Sequence, residues 1–250
     1  MNSTQLSEVG CINTAAREQS LIEALCPTGV VVAACYTAEV SQELFPEEAL
    51  AVATALETRR QEFLKGRACA RQAMVRLGAD PVPIPVLPDR GPQWPAGIVG
   101  SITHTSDLAC AAVAWKHACA GIGIDVETRD HELRTTLDRF VCTPAERAGL
   151  QTLPEEIDPL RLVFSAKESV HKCVAPVAGI TLGFHEVELD IDVANQRFSA
   201  RVLRRDAVIP DFSLLSGRFV VTPRFVITTA IIPAGHGNLG TIPSASTMRV

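Results

Sequence analysis

Apolar and polar positions follow two periods along this chain, and the switches between them mark out its elements. After a polar start, residues 14–25 have the spacing of a short helix. The unbroken run over 30–36 reads as a buried strand, being short, continuous and partly β-branched. Two helices follow. One over 46–56 opens with Pro46-Glu47-Glu48, as a positive helix end favours, and one over 59–77 is stopped by Gly78. Pro81, Pro83, Pro85, Pro88, Pro92 and Pro95 then make an extended passage, and a hairpin over 98–115 leads into Gly121-Ile-Gly-Ile-Asp-Val-Glu127, whose alternation predicts a strand.

The second half has the same outline. Thr143-Pro-Ala-Glu146 is a helix start, 158–174 a longer helix, 184–191 and 198–204 are strands, and 217–232 a closing hairpin. Each half thus sets a long helix before strands that end in a small apolar one. The expectation is an α+β fold of two similar lobes related by a pseudo-twofold axis, each a small, mostly antiparallel sheet packed with helices. The lobes would span 1–119 and 120–233, and the Gly/Ser/Thr-rich segment 234–250 would be a disordered tail.

Composition narrows the class. With 250 residues, 47% of them hydrophobic and 20% charged, the chain has the make-up of a soluble globular protein of one or two domains. A net charge of −5 is too mild for a general nucleic-acid or membrane-surface binder, so an anion site must be a local cluster. The cysteines, at 11, 26, 35, 69, 110, 119, 142 and 173, form no C-x-x-C pair and give no zinc or redox motif; in apolar runs they read as small core residues in a reducing compartment. The first residues lack a signal peptide's basic and apolar regions, and no apolar run reaches the roughly 18 residues of a membrane span. A cytoplasmic monomer is expected.

Three places break the pattern. In the strand GIGIDVE, period two puts Ile122, Ile124 and Val126 on one face and Gly123, Asp125 and Glu127 on the other. The two acids emerge about 7 Å apart, either as a solvated strand end or as hard oxygen ligands suited to Mg²⁺. On the helix of 158–174, Lys167 falls inside the apolar stripe of Leu160, Val163, Phe164, Val170 and Val174, while Arg161, Glu168 and Lys172 share a polar flank. Lys167 either snorkels to a surface or aims an ammonium at a phosphate. On the helix of 59–77, Arg60, Arg67 and Arg71 share a face with few acids near them. They await either an anionic ligand or acids from another segment. His104 in GSITHT reads by itself as a structural histidine, and the glycines form neither GxGxxG nor GxxxxGK.

Four stretches in this order, RRQEFLKGRACAR, GPQWPAGIVGSITHT, GIGIDVE and FSAKESVHK, resemble the 4′-phosphopantetheinyl transferases, specifically the bacterial branch associated with enterobactin-type siderophore synthesis. The resemblance spans Arg59 to Lys172. It implies two lobes with coenzyme A in the cleft between them, and transfer of the 4′-phosphopantetheine arm to a serine of an apo carrier protein with release of 3′,5′-ADP. It also implies Mg²⁺, replaceable by Mn²⁺, on Asp125, Glu127 and Glu168, with Glu168, Lys167 and Asp125 as the catalytic set. Lys167 and Lys172 would contact the phosphates, and Arg59, Arg67, Arg90, Ser101 and His104 the nucleotide end. His171 departs from the aromatic residue usual there. The competing readings are a Mg²⁺-dependent nucleotide phosphohydrolase and a non-catalytic relative that only binds carrier proteins.

Overall fold

Two antiparallel sheets carry the fold, and each is backed by one long helix. The computed structural model describes residues 16–36, 43–130, 135–204 and 215–235. The first part holds helix α1 (residues 16–25), β1 (Val31–Tyr36), α2 (Pro46–Ala49), α3 (Glu57–Leu77), β2 (Ile98–His104) and β3 (Leu108–Trp115). The second holds β4 (Cys119–Thr128), α4 (Asp138–Val141), α5 (Pro144–Gly149), α6 (Pro159–Ala178), β5 (Val187–Asp192), β6 (Arg197–Val202), β7 (Ser216–Val221) and β8 (Phe225–Pro233). The strand orders are β1-β3-β2 and β4-β8-β7-β6-β5, so in each sheet the first strand in sequence lies beside the last. The fold class is α+β, as the hydrophobic pattern predicts.

Three hydrophobic layers hold these parts together. Ala33, Cys35, Ala109, Ala111 and Val113 on one face of the small sheet pack with Cys69, Ala73 and Met74 of α3. The opposite face, through Val32, Tyr36, Leu108, Cys110 and Ala112, packs with Ile122, Ile124, Val126 and Ile227 of the large sheet and with Ile22 and Leu25 of α1. The third layer joins α6, through Leu162, Ala166, Val170 and Cys173, to the outer face of the large sheet. Because both faces of β3 are covered, its sequence is a continuous run of small apolar residues rather than an alternating one.

Element boundaries differ from the pattern where a contact outside the local sequence decides them. The helix expected over 46–56 is only α2 plus a 3₁₀ turn at Leu50–Val52. Leu50 and Leu56 are 78% and 80% exposed, so no apolar stripe sustains a longer helix. Helix α6 runs on through Pro176 and ends at Gly179, whose φ is +65°. The strand expected from 184 begins at Val187, after a 3₁₀ turn in which Glu186 accepts from Gly183 N. At the helix start that the sequence suggests, Thr143 and Glu146 form a capping box, with Pro144 in the first turn. Cys35, Cys69, Cys110, Cys119, Cys142 and Cys173 are buried among apolar residues. Among the described residues no helix is long and apolar enough to cross a membrane. Residues 236–250 of the expected tail lie outside the described residues.

Candidate active site

Two glycines decide how close α6 comes to β4. A Cβ on Gly123 would lie 1.7 Å from Ser169 O, and one on Gly121 would lie 2.6 Å from Cys173 O, so only glycine lets the helix backbone rest on the strand here. That approach sets the polar flank of α6 against Asp125. Lys172 donates from Nζ to Asp125 Oδ1 at 2.6 Å and to Ile124 O at 3.3 Å. Thr103 of β2 donates to the same Oδ1 at 3.2 Å. Asp125 is 3% exposed, and its Oδ2 is buried with no hydrogen-bond partner among the described residues.

Glu127 and Glu168 stand close enough to feel this carboxylate. Burial first, and then the negative charge of Asp125, push the Glu127 carboxyl up to about 7; Lys172 and Arg161 oppose the shift and Glu168 adds to it. Burial raises Glu168 as well; Lys172 opposes the shift, Asp125 adds to it and His171 opposes it. Three acids thus gather around one ammonium. Among the described residues no three acids, histidines or cysteines are already drawn into coordinating geometry. A buried oxygen with no partner among the described residues, near two carboxyls whose proton affinity burial raises, is nonetheless the donor set that a hard divalent cation could use.

The raised Glu127 has a consequence for stability. Its folded-state value lies above the unfolded one, so between pH about 4.5 and about 7 the native state holds a proton that the unfolded chain has lost. In metal-free protein the Glu127 contribution therefore falls as pH rises through that window and levels off above it. Urea unfolding at steps from pH 4.5 to 8 should show this slope, and Glu127→Gln should flatten it; an unchanged slope in the variant would assign it to other groups.

The same surface continues onto α3. Arg59 donates from Nη1 to His104 Nε2 at 2.7 Å and to Glu62 Oε2 at 3.2 Å. Since arginine has no acceptor, that ring nitrogen is unprotonated. Burial, reinforced by Arg59, lowers the histidine, and the charges of Lys172 and Asp125 also reach it, so the two groups of residues are neighbours. Arg67 is 6% exposed, donates from Nε to Ile84 O at 2.7 Å, and lies over the Phe63 ring. Burial lowers it to about 10, more than the attraction of Glu48 restores. Ser101 is buried and accepts at Oγ from Ile124 N at 3.0 Å.

Comparison with known proteins decides what this arrangement belongs to. Residues 46–114 match the 4′-phosphopantetheinyl transferase N-terminal domain, and residues 121–229 match the 4′-phosphopantetheinyl transferase superfamily. The chain is 38% identical to 4′-phosphopantetheinyl transferase Svp of Streptomyces mobaraensis over 87% of its own length and 91% of that protein. It is 35% identical to 4′-phosphopantetheinyl transferase PptT of Mycobacterium tuberculosis over 75% and 85%. Enterobactin synthase component D of Salmonella typhi matches at 36% over 46% of this chain and 47% of that protein. The chain belongs to the 4′-phosphopantetheinyl transferase superfamily. Its function is transfer of phosphopantetheine from coenzyme A to carrier proteins, and neither the phosphohydrolase nor the non-catalytic reading is favoured.

Within this transferase, the structure brings Asp125, Glu127, Glu168, Lys172, His104 and Arg59 into one neighbourhood, but other residues singled out from the sequence go elsewhere. Lys167 is the main correction. It neither snorkels nor reaches the acids: its Nζ donates to Glu146 Oε2 at 2.6 Å, Phe184 O at 2.7 Å and Val141 O at 2.8 Å, which uses all three protons. Arg71 is likewise claimed, by both carboxylate oxygens of Glu48 on α2, and Arg60 lies by Glu57. For these two, acids from the same or another segment account for the shared arginine face. Arg90 occupies an exposed turn with φ +71°, and no hydrogen bond or ion pair among the described residues ties its side chain to the cluster. The polar flank of α6 is also not a solvent face, since Arg161 is 1% exposed, pairs with Asp158 at 2.6 Å and donates to Thr128 O. Three contacts escaped the sequence reading: Thr103 on Asp125, Glu48 on Arg71 and Glu146 on Lys167, the two glutamates having been read only as helix starts. For the Thr103 contact the signal was a strand face shared with Ser101; for the two glutamates the local sequence marked the helix start and not the partner.

Proposed function

We propose that the transferase binds the coenzyme A pyrophosphate at the Asp125, Glu127 and Glu168 carboxylates through a Mg²⁺ ion, for which Mn²⁺ can substitute. The carrying observation is the buried Asp125 Oδ2, with no partner among the described residues, beside a Glu127 carboxyl pushed up to about 7: these groups fit a divalent cation better than they fit each other. When bound, the ion would neutralise charge that grows on the pyrophosphate as the phosphorus–oxygen bond breaks. Lys172, held between Asp125 and Ile124 O and still partly exposed, supplies an ammonium at the same place.

Glu168 takes the proton of the carrier serine as its hydroxyl attacks the β-phosphorus, and 3′,5′-ADP leaves. Its affinity for a proton, raised by burial, suits a general base. Arg59, Arg67, Ser101 and His104 hold the nucleotide end on the α3 and β2 side; Arg90 would join them only if its turn moves. Lys167 has no proton left for a phosphate and is not part of this set. We also propose that 1–119 and 120–233 are pseudo-twofold lobes with the coenzyme in the cleft between them, a reading supported by the first strand of each sheet lying beside its last and by a long helix on the outer side of each sheet. We propose a monomer in the cytoplasm; the monomer is supported by sheets whose inner faces cover each other.

Arg67 offers a test of the nucleotide end. A buried guanidinium that burial lowers to about 10 gains by meeting an anion. If that anion is the 3′-phosphate, Arg67→Ala should weaken coenzyme A binding by about 1.5–3 kcal/mol and dephospho-coenzyme A binding by much less. Calorimetry at fixed salt measures both. Equal losses for the two ligands would make Arg67 a support of the Ile84 loop. For the transfer itself, EDTA should stop modification of an apo carrier and Mg²⁺ restore it; full transfer in EDTA would remove the metal.

A further inference from the structure

We infer that Thr103 is a positioning residue for Asp125, fixing which carboxylate oxygen is presented to a divalent cation; this rests on the cation site proposed above. Strands β2 and β4 are edge strands of different sheets and face each other without a backbone ladder. Side-chain hydroxyls replace it: Ile124 N donates to Ser101 Oγ at 3.0 Å, and Val126 N donates to Thr103 Oγ1 at 3.3 Å. These two amides flank Asp125 in sequence.

A threonine hydroxyl has one proton and two lone pairs. At Thr103 a lone pair is taken by Val126 N, and the proton goes to Asp125 Oδ1 at 3.2 Å. Thr103 is 4% exposed, so water does not readily replace either bond. Lys172 donates to the same Oδ1. Two donors from opposite sides of the site, one on β2 and one on α6, thus saturate Oδ1 and turn the unpartnered Oδ2 toward whatever else binds. A carboxylate gripped at one oxygen cannot rotate freely, so the other is held ready as a single ligand. Hydrogen bonds of this kind, made to a ligand side chain rather than to the metal, shift metal affinity by about 10–100-fold. Thr103→Val keeps the shape and removes both bonds, whereas Thr103→Ser keeps the hydroxyl.

The test titrates Mn²⁺ into wild type, Thr103→Val, Thr103→Ser and Asp125→Asn with coenzyme A saturating. Free Mn²⁺ is read by electron paramagnetic resonance, corrected for coenzyme A alone, and folded fraction by circular dichroism. Thr103→Val should bind Mn²⁺ about 10–100-fold more weakly than wild type, and Thr103→Ser within about threefold of it. If Thr103→Val does not fold, Thr103→Cys, a weak donor of similar size, replaces it with the same expectation. Wild-type affinity in the hydroxyl-free variant, with Asp125→Asn still impaired, overturns the inference and leaves the cation site standing. Serine binding as weakly as valine also overturns it. If Asp125→Asn binds Mn²⁺ like wild type, or wild type binds none, the cation site fails and the inference fails with it.

Discussion

Asp125→Asn should lower the rate of phosphopantetheine transfer by about a thousand-fold or more, with a thermal midpoint equal to or above that of the wild type. On the proposed cation site, the rate falls because the substitution removes the negative charge of a buried ligand. The several kcal/mol of charge stabilisation then lost correspond to about three powers of ten. The fold holds for a separate reason. Asn keeps an oxygen for Thr103 and Lys172, and it lowers the repulsion among three acids in one buried place, where Oδ2 has no partner among the described residues to lose. Transfer assays on the purified variant, with a melting curve beside them, separate the two effects. A variant that melts early would make Asp125 a packing residue, and one with full activity would remove it from the site.

Lys167→Met should destabilise the protein by about 3–5 kcal/mol, the usual cost of leaving one partner of a buried ion pair behind. The apolar stripe alone argues the opposite, since methionine would complete it. The structure reverses that sign because Glu146 is buried as deeply as the lysine, with side chains 4% and 1% exposed. Glu146 also accepts from Thr143 N and Leu189 N, both at 2.7 Å, so it joins the cap of α5 to β5 and to α6. Without Lys167 its charge would have no neutralising partner at that distance. Adding Glu146→Gln should recover part of the loss, because the amide oxygen still accepts and no charge is stranded. Urea unfolding of the single and double variants measures this. A single variant as stable as wild type would mean that the ion pair contributes nothing net.

What the sequence revealed and what it hid follow from distance along the chain. The face of β4 that carries Asp125 and Glu127 is legible because strand alternation is a local property. The same holds for the start of α5 and for Gly78 ending α3 with φ +83°. The ion pairs of Lys167 and Arg71 were not legible: their partners lie 21 and 23 residues away, on short helices whose placement only the folded chain sets. The glycines of GIGID belong to the same class. As a phosphate-binding signature they fail, yet Gly121 and Gly123 position the site by letting α6 rest on β4, a contact between segments nearly fifty residues apart. Thr103 lay in plain view beside Ser101, but nothing local says that two strands from different sheets meet through hydroxyls there.

The most direct measurement is the intact mass of a purified apo carrier protein incubated with this transferase, coenzyme A and Mg²⁺, with an EDTA control and with nucleotide products followed in the same tube. The expected result is a gain of about 340 Da, the phosphopantetheine arm, on the carrier serine, one 3′,5′-ADP released per arm transferred, and neither product in EDTA. An unmodified carrier with free phosphate accumulating instead would contradict the account.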